Sequence, residues 1–216
     1  MEIHHISAEH LSIGRVREIL DRHITLALSD DAKHRIVRCR EYLDRKMEHP
    51  ERPIYGITTG FGSLCNISVG HDDLAQLQKN LMMSHACGTG ERVPSEIVRL
   101  MLLLKVQSLS YGHSGVQLAT VERLIDFFNA DILPVVYQQG SLGASGDLAP
   151  LAHMSLPLIG LGEVEYEGRV RPAAEVLAEK GWAPIELQSK EGLALLNGTQ
   201  FMSAYGVWAV MQAQRL

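Results

Sequence analysis

Residues 97–110, IVRLMLLLKVQSLS, put apolar side chains on almost every face of a helix. A helix with one apolar stripe can lie on the surface of many folds, but one that is apolar nearly all round is stable only when other elements enclose it. The segment therefore predicts a central helix in a helical assembly, and Pro94-Ser95 ahead of it marks its start. Other segments can supply the enclosing layer. Ser12 can cap a helix running through Val16 and Leu20, and Ser29 with Asp30 and Asp31 opens a longer one towards Met47. Acidic residues at that N-terminus suit the helix macrodipole. Asp72-Asp73 leads a third helix through Leu74, Leu77 and Leu81, and residues 116–129 are amphipathic.

From Thr199 onward Phe201, Ala204, Tyr205, Trp208 and Met211 recur every three or four residues. Nothing closes this last helix before Leu216, so the pattern is that of a chain cut short, the N-terminal portion of a longer protein. A single hairpin is legible: residues 163–166, a turn at Glu167-Gly168, then residues 169–171. Pro172 begins a short helix that ends at Gly181. The glycine- and threonine-rich runs 56–63 and 140–147 read as loops. The expected fold class is mainly α, with a small mixed α/β N-terminal region leading into a long helical bundle, divided between residues 1–110 and 111–216.

Hydrophobic residues make up 46% of the 216 and charged residues 21%, which is the balance of a folded chain with a real core. The net charge is −5 without any basic block, which argues against nucleic acid or an anionic membrane as partner. No apolar run reaches the ~18 residues of a membrane helix. The opening MEIHHISAEH lacks the layout of a secretory signal. Cys39, Cys65 and Cys87 are odd in number and scattered, forming neither a disulfide framework nor a zinc spacing. A reducing cytoplasm fits them, and Cys87, beside His85, reads either as lining the pocket or, the favoured reading, as a buried structural thiol. No metal or nucleotide site is expected.

The chemistry lies in the loop. Residues 140–150 read GSLGASGDLAP, with Ser145 between Ala144 and Gly146. Glycine allows strained dihedrals and close backbone approach, so the Gly146 nitrogen can attack the Ala144 carbonyl. Loss of that oxygen as water, and of the Ser145 hydroxyl as a second water, leaves an exocyclic methylidene. That group is an electrophile, which no ordinary side chain provides. Two other readings compete. A nucleophile elbow needs Gly-x-Ser-x-Gly, and Asp147 stands where the second glycine belongs. Alternatively Ser145 and Asp147 cap a short helix.

The segment 140–155, GSLGASGDLAPLAHMS, resembles the signature of the aromatic amino acid ammonia-lyase family, including its histidine-specific members. Three more segments resemble that family: YGITTGFG at 55–62, SHACG at 84–88 and KEGLALLNGT at 190–199. The resemblance implies a helical bundle of the ammonia-lyase (fumarase/aspartase-like) type. It also implies a 4-methylideneimidazol-5-one (MIO) cofactor formed from Ala144, Ser145 and Gly146, and elimination of ammonia from an aromatic amino acid, urocanate being the product from histidine.

By the same resemblance Tyr55 is the base that takes the β-proton. An ordinary tyrosine is a poor base at neutral pH, so this role needs surroundings that favour the phenolate. His85 selects the substrate, because an imidazole can hydrogen-bond a histidine ring and a site built on such a bond rejects an apolar one. Tyrosine-selective members also carry histidine there, so tyrosine and phenylalanine lyases and aminomutases stay open, as does a non-catalytic assembly role. Asn197 binds the substrate or the electrophile as a donor; on its own, Asn197-Gly198 reads equally as a helix-ending turn. His153 lies in the signature without an assigned role.

Thr58 departs from the asparagine of many histidine-specific relatives, and Tyr111-Gly112-His113 from an Arg-Gly-aromatic run. The family's carboxylate-binding arginine comes from the second half of the chain, and its sites are shared among subunits of a homotetramer. This chain alone is therefore expected to carry an incomplete site.

Overall fold

The computed structural model describes residues 2–48, 54–59, 73–143 and 146–215. At the N-terminus, β1 (Ile3–Ile6) and β2 (Thr25–Leu28) pair in parallel, with α1 (Ile13–Asp21) as the crossover. The Ser12 hydroxyl caps α1, accepting from the Arg15 amide at 3.2 Å. Ser29 does the same for α2 (Asp30–Glu48), accepting from the Ala32 amide. These caps stand where the sequence placed them. The mixed α/β region is present, and its two strands are too short to have shown any periodicity.

Next come α3 (Leu74–His85), β3 (Thr89–Arg92) and α4 (Ser95–Ser110). The third of these is the enclosed helix: Ile97, Leu100, Met101, Leu102, Leu103, Val106 and Leu109 are all buried. Around it lie α2, α5 (Leu118–Asn129) and α9 (Gln200–Ala213). The Asn129 side chain, at the end of α5, receives the Leu26 amide at 2.8 Å and donates to the Leu26 carbonyl at 2.9 Å. It thus occupies the edge of β2 as a third strand would.

Beyond α5, β4 (Leu133–Pro134) and β5 (Tyr137–Gln139) precede α6 (Leu148–Ser155), which continues into a 3-10 turn at Leu156–Ile159. The expected hairpin is β6 (Glu163–Tyr166) and β7 (Arg169–Pro172), with β4 added on the β6 edge. Its turn residues Glu167 and Gly168 both have positive φ, 51° and 71°, as a tight two-residue hairpin turn demands. Then α7 (Ala173–Lys180) ends at Gly181 in the left-handed region, and α8 (Glu191–Leu196) leads to α9.

The fold is mainly helical, as expected. One apolar core runs from Ile6 to Met211 and centres on α4. On one side of it α3, α6 and α8 pack together, carrying the segments singled out above. No helix among the described residues is long and apolar enough to cross a membrane.

Candidate active site

The glycine loop is fixed at both ends by contacts that exclude side chains. Gly140 follows β5 with φ +126°, and a Cβ on it would stand 2.9 Å from the Gly88 Cα. Gly146 has φ +117°, and its Cβ would stand 2.7 Å from the Gly198 carbonyl oxygen. Real Cβ atoms do not approach that closely, so backbone meets backbone at both places. The Asp147 amide donates to the Gly198 carbonyl at 2.8 Å, and its carboxylate accepts from the Met202 amide at 3.0 Å. Asp147 precedes α6 but makes no side-chain cap there. Its charge instead faces the N-terminus of α9, where the helix dipole favours an anion; the capping reading of Asp147 is thereby corrected.

Ala144 and Ser145 lie outside the described residues. What flanks them fits an MIO group: a Cβ-free Gly146 in a conformation reserved for glycine, pressed against a second glycine and pinned at the next amide.

Tyr55 sits in a closed loop. The Ile57 and Thr58 amides both donate to the Ile54 carbonyl, and the Thr58 hydroxyl accepts from the Ile54 amide at 2.8 Å. Thr58, the departure from asparagine, is therefore a buried loop-closing hydroxyl. The Tyr55 side chain is 54% exposed. Gly60, Phe61 and Gly62 lie outside the described residues.

The loop is tied to α3 and α8 by Gln78, which is fully buried. Its amide nitrogen donates to the Ile57 carbonyl at 3.4 Å, and its oxygen accepts from the Gly192 amide at 2.9 Å. One side chain thus joins the tyrosine segment to the asparagine segment.

His85 is the last residue of α3 and half-buried. Its Nδ1 lies 2.7 Å from the Leu81 carbonyl oxygen, which can only accept, so Nδ1 carries the proton in that bond. Cys87 is exposed, not the buried thiol expected, because residues 86–88 leave the helix as a surface turn.

Asn197 ends α8 and is exposed, its amide donating to Leu193 at 3.0 Å. Asn197 thus ends a helix, and the residue after it is the Gly198 that Gly146 meets. Two buried charges set the pose of α8. The Glu191 carboxylate accepts from the Gln117 amide, the Gln117 side chain, the Thr120 hydroxyl and the Gln188 amide, between 2.6 and 2.9 Å. At the other end, the Lys105 ammonium donates to the Ala194 carbonyl at 2.8 Å. Burial, with the nearby Lys190 charge, pushes the Lys105 pKa down to about 7.

Direct contact therefore joins Gly146 to the residue after Asn197, while Gln78 ties the Tyr55 loop to Gly192, in the first turn of the helix that Asn197 ends. His85 belongs to the same helix as Gln78, seven positions on, roughly 10 Å by helical rise. Gln78, Lys105 and Glu191 were not legible as site-building residues. Lys105 had a signal, a charge in the middle of an apolar helix; Gln78 had none. Among the described residues no cluster of His, Cys, Asp or Glu could hold a metal ion.

A helical fold whose glycine loop is clamped on an Asn-Gly helix end defines a class, and comparison with known proteins names it. The family described as aromatic amino acid lyase matches residues 11–216, and the chain belongs to that family. A histidine ammonia-lyase of Deinococcus radiodurans is 57% identical over 189 residues, covering 88% of this chain and 36% of that protein. Among solved structures, the histidine ammonia-lyase of Trypanosoma cruzi superposes with a TM-score of 0.87 at 37% identity, over 99% of this chain and 41% of that one. A tyrosine aminomutase from Streptomyces globisporus gives 0.91 at 36% identity, over 99% and 40%. The chain thus spans about two fifths of the length of such relatives.

Proposed function

We propose that this chain supplies the electrophile loop, the base and the substrate-reading histidine of an ammonia-lyase that converts L-histidine to urocanate and ammonia. The observation that carries the reading is the clamp of Gly146 on Gly198, because cyclisation of Ala144, Ser145 and Gly146 requires a loop held that tightly. The MIO group would supply an electrophile for the substrate amine, making it a better leaving group.

The chain's own residues then do the rest. Tyr55, on its closed loop, takes the β-proton as a positioned base. His85 presents Nε2 to the imidazole of the substrate, its Nδ1 being engaged by Leu81. Asn197 offers its carboxamide beside the loop, where a fixed donor stabilises developing negative charge. The carboxylate of the substrate is bound by residues beyond this span, in a homotetramer that shares its sites between subunits.

Histidine as substrate is supported by the likeness to histidine ammonia-lyases, such as the one 57% identical over 189 residues. The test is urocanate and ammonia release from L-histidine by the purified enzyme, which Ser145→Ala should abolish; surviving activity sinks the reading. A second reading, amine migration, is favoured by the likeness to a tyrosine aminomutase. Product analysis separates the two, since a mutase yields the β-amino acid in place of the unsaturated acid.

A further inference from the structure

His153 lies within the glycine-loop segment and has so far no part in the chemistry. It sits on α6, and its Nε2 accepts from the Gly88 amide at 2.9 Å. Its ring meets Tyr137 of β5 edge-on, with centroids 5.1 Å apart. Gly88 lies close against it, at a place where a side chain would crowd its neighbours. A Cβ there would stand 3.1 Å from the imidazole and 3.2 Å from the Gln139 carbonyl oxygen, and Gly140 crowds the same residue from the loop.

Gly88 is three residues after His85, and the turn between them is closed by the Cys87 amide on the His85 carbonyl at 2.9 Å. The short segment is therefore tied at both ends. At one end the His85 ring is bound to Leu81 of its own helix; at the other, His153 holds Gly88 against β5 and the loop.

We infer that His153 is a positioning residue for substrate selection: its Nε2 holds residues 85–88 in register with the electrophile loop, and so sets where the His85 ring meets the substrate. The inference rests on the reading of His85 given above. An Nε2 that accepts from an amide must lack a proton, which places the hydrogen on Nδ1. Burial lowers the His153 pKa from its ordinary 6.5, in keeping with that state.

The bond acts on the pose of a binding group and not on a bond being broken, so its loss should appear in KM. In the active enzyme, His153→Leu should raise KM for histidine about 3- to 10-fold, the range of one lost hydrogen bond, with kcat nearly unchanged. KM for phenylalanine, which makes no bond to His85, should move less. Glutamine places its amide oxygen the same number of bonds from the backbone as Nε2. His153→Gln should therefore restore both KM for histidine and the slow exchange of the Gly88 amide that the leucine variant loses.

If the leucine variant fails to fold, His153→Asn, polar but one atom too short to reach Gly88, takes its place. An unchanged KM, a fall in kcat alone, equal losses for both substrates, or glutamine no better than leucine or asparagine would overturn the inference. Failure of the underlying reading looks different: either the wild type releases no urocanate, or His85→Leu leaves substrate preference untouched.

Discussion

Glu191→Gln changes one atom and tests what holds the asparagine segment in place. The carboxylate is fully buried, and four donors converge on it. One oxygen takes the Gln117 amide at 2.9 Å and the Thr120 hydroxyl at 2.6 Å; the other takes the Gln117 side chain at 2.6 Å and the Gln188 amide at 2.8 Å. Glutamine keeps the shape but turns one oxygen into an NH2 group, which cannot accept. Whichever way the amide is turned, two donors lose their partner and face another donor. Hydrogen bonds to a charged group contribute about 1.5–3 kcal/mol each, so the substitution should cost about 3–5 kcal/mol, in the range for a broken buried charge network. For a chain of this size that lowers the melting temperature by roughly 6–20 °C. Calorimetry on matched samples, with urea unfolding to confirm an unchanged m-value, reads the effect directly. A loss under about 1 kcal/mol would refute the account, showing that α8 is held by packing alone.

Three further outcomes follow from the same structure. The Lys105 pKa falls from 10.5 unfolded to about 7 folded, so the unfolded chain binds the extra proton and stability rises with pH between those values. The gain from about pH 7 to about pH 10 should be about 3–4 kcal/mol, and urea titrations of Lys105→Met should lack that component; identical pH slopes would contradict it. Gly140→Ala forces a side chain into φ +126° and against the Gly88 backbone, which should cost about 2–4 kcal/mol. Gly168→Ala, with positive φ but open space, should cost only about 1–2 kcal/mol, and denaturation midpoints showing equal losses would refute the close approach. His85→Leu should lower kcat/KM for histidine far more than for phenylalanine, and equal losses would make His85 structural.

Much of the fold was legible because its signals are local. The apolar surround of α4, the Ser12 and Ser29 caps, the Glu167-Gly168 turn and the stripe of α9 each lie within one segment. The short strands escaped because two to four residues are too few to establish a period; β3, moreover, is exposed at all four positions and exists only through its pairing with β5. The site divides in the same way. The segments that carry Tyr55, His85, Gly146 and Asn197 could each be singled out from their own residues. The groups that hold those segments together act across long stretches of sequence. Gln78 meets Gly192 across 114 positions, and Lys105 meets Ala194 across 89. No periodicity encodes such pairs, and a buried glutamine on an amphipathic helix looks like any other polar residue. The partner of Asp147, the first turn of α9, was illegible for the same reason.

The central claim is that the loop clamped between Gly88 and Gly198 cyclises. Intact-protein mass, followed by fragmentation of the peptide spanning residues 140–155, tests it most directly. The account predicts a mass lower than the sequence requires by two waters, localised to Ala144-Ser145-Gly146 and absent from Ser145→Ala. Folded wild-type protein with the full sequence mass on that peptide would contradict it.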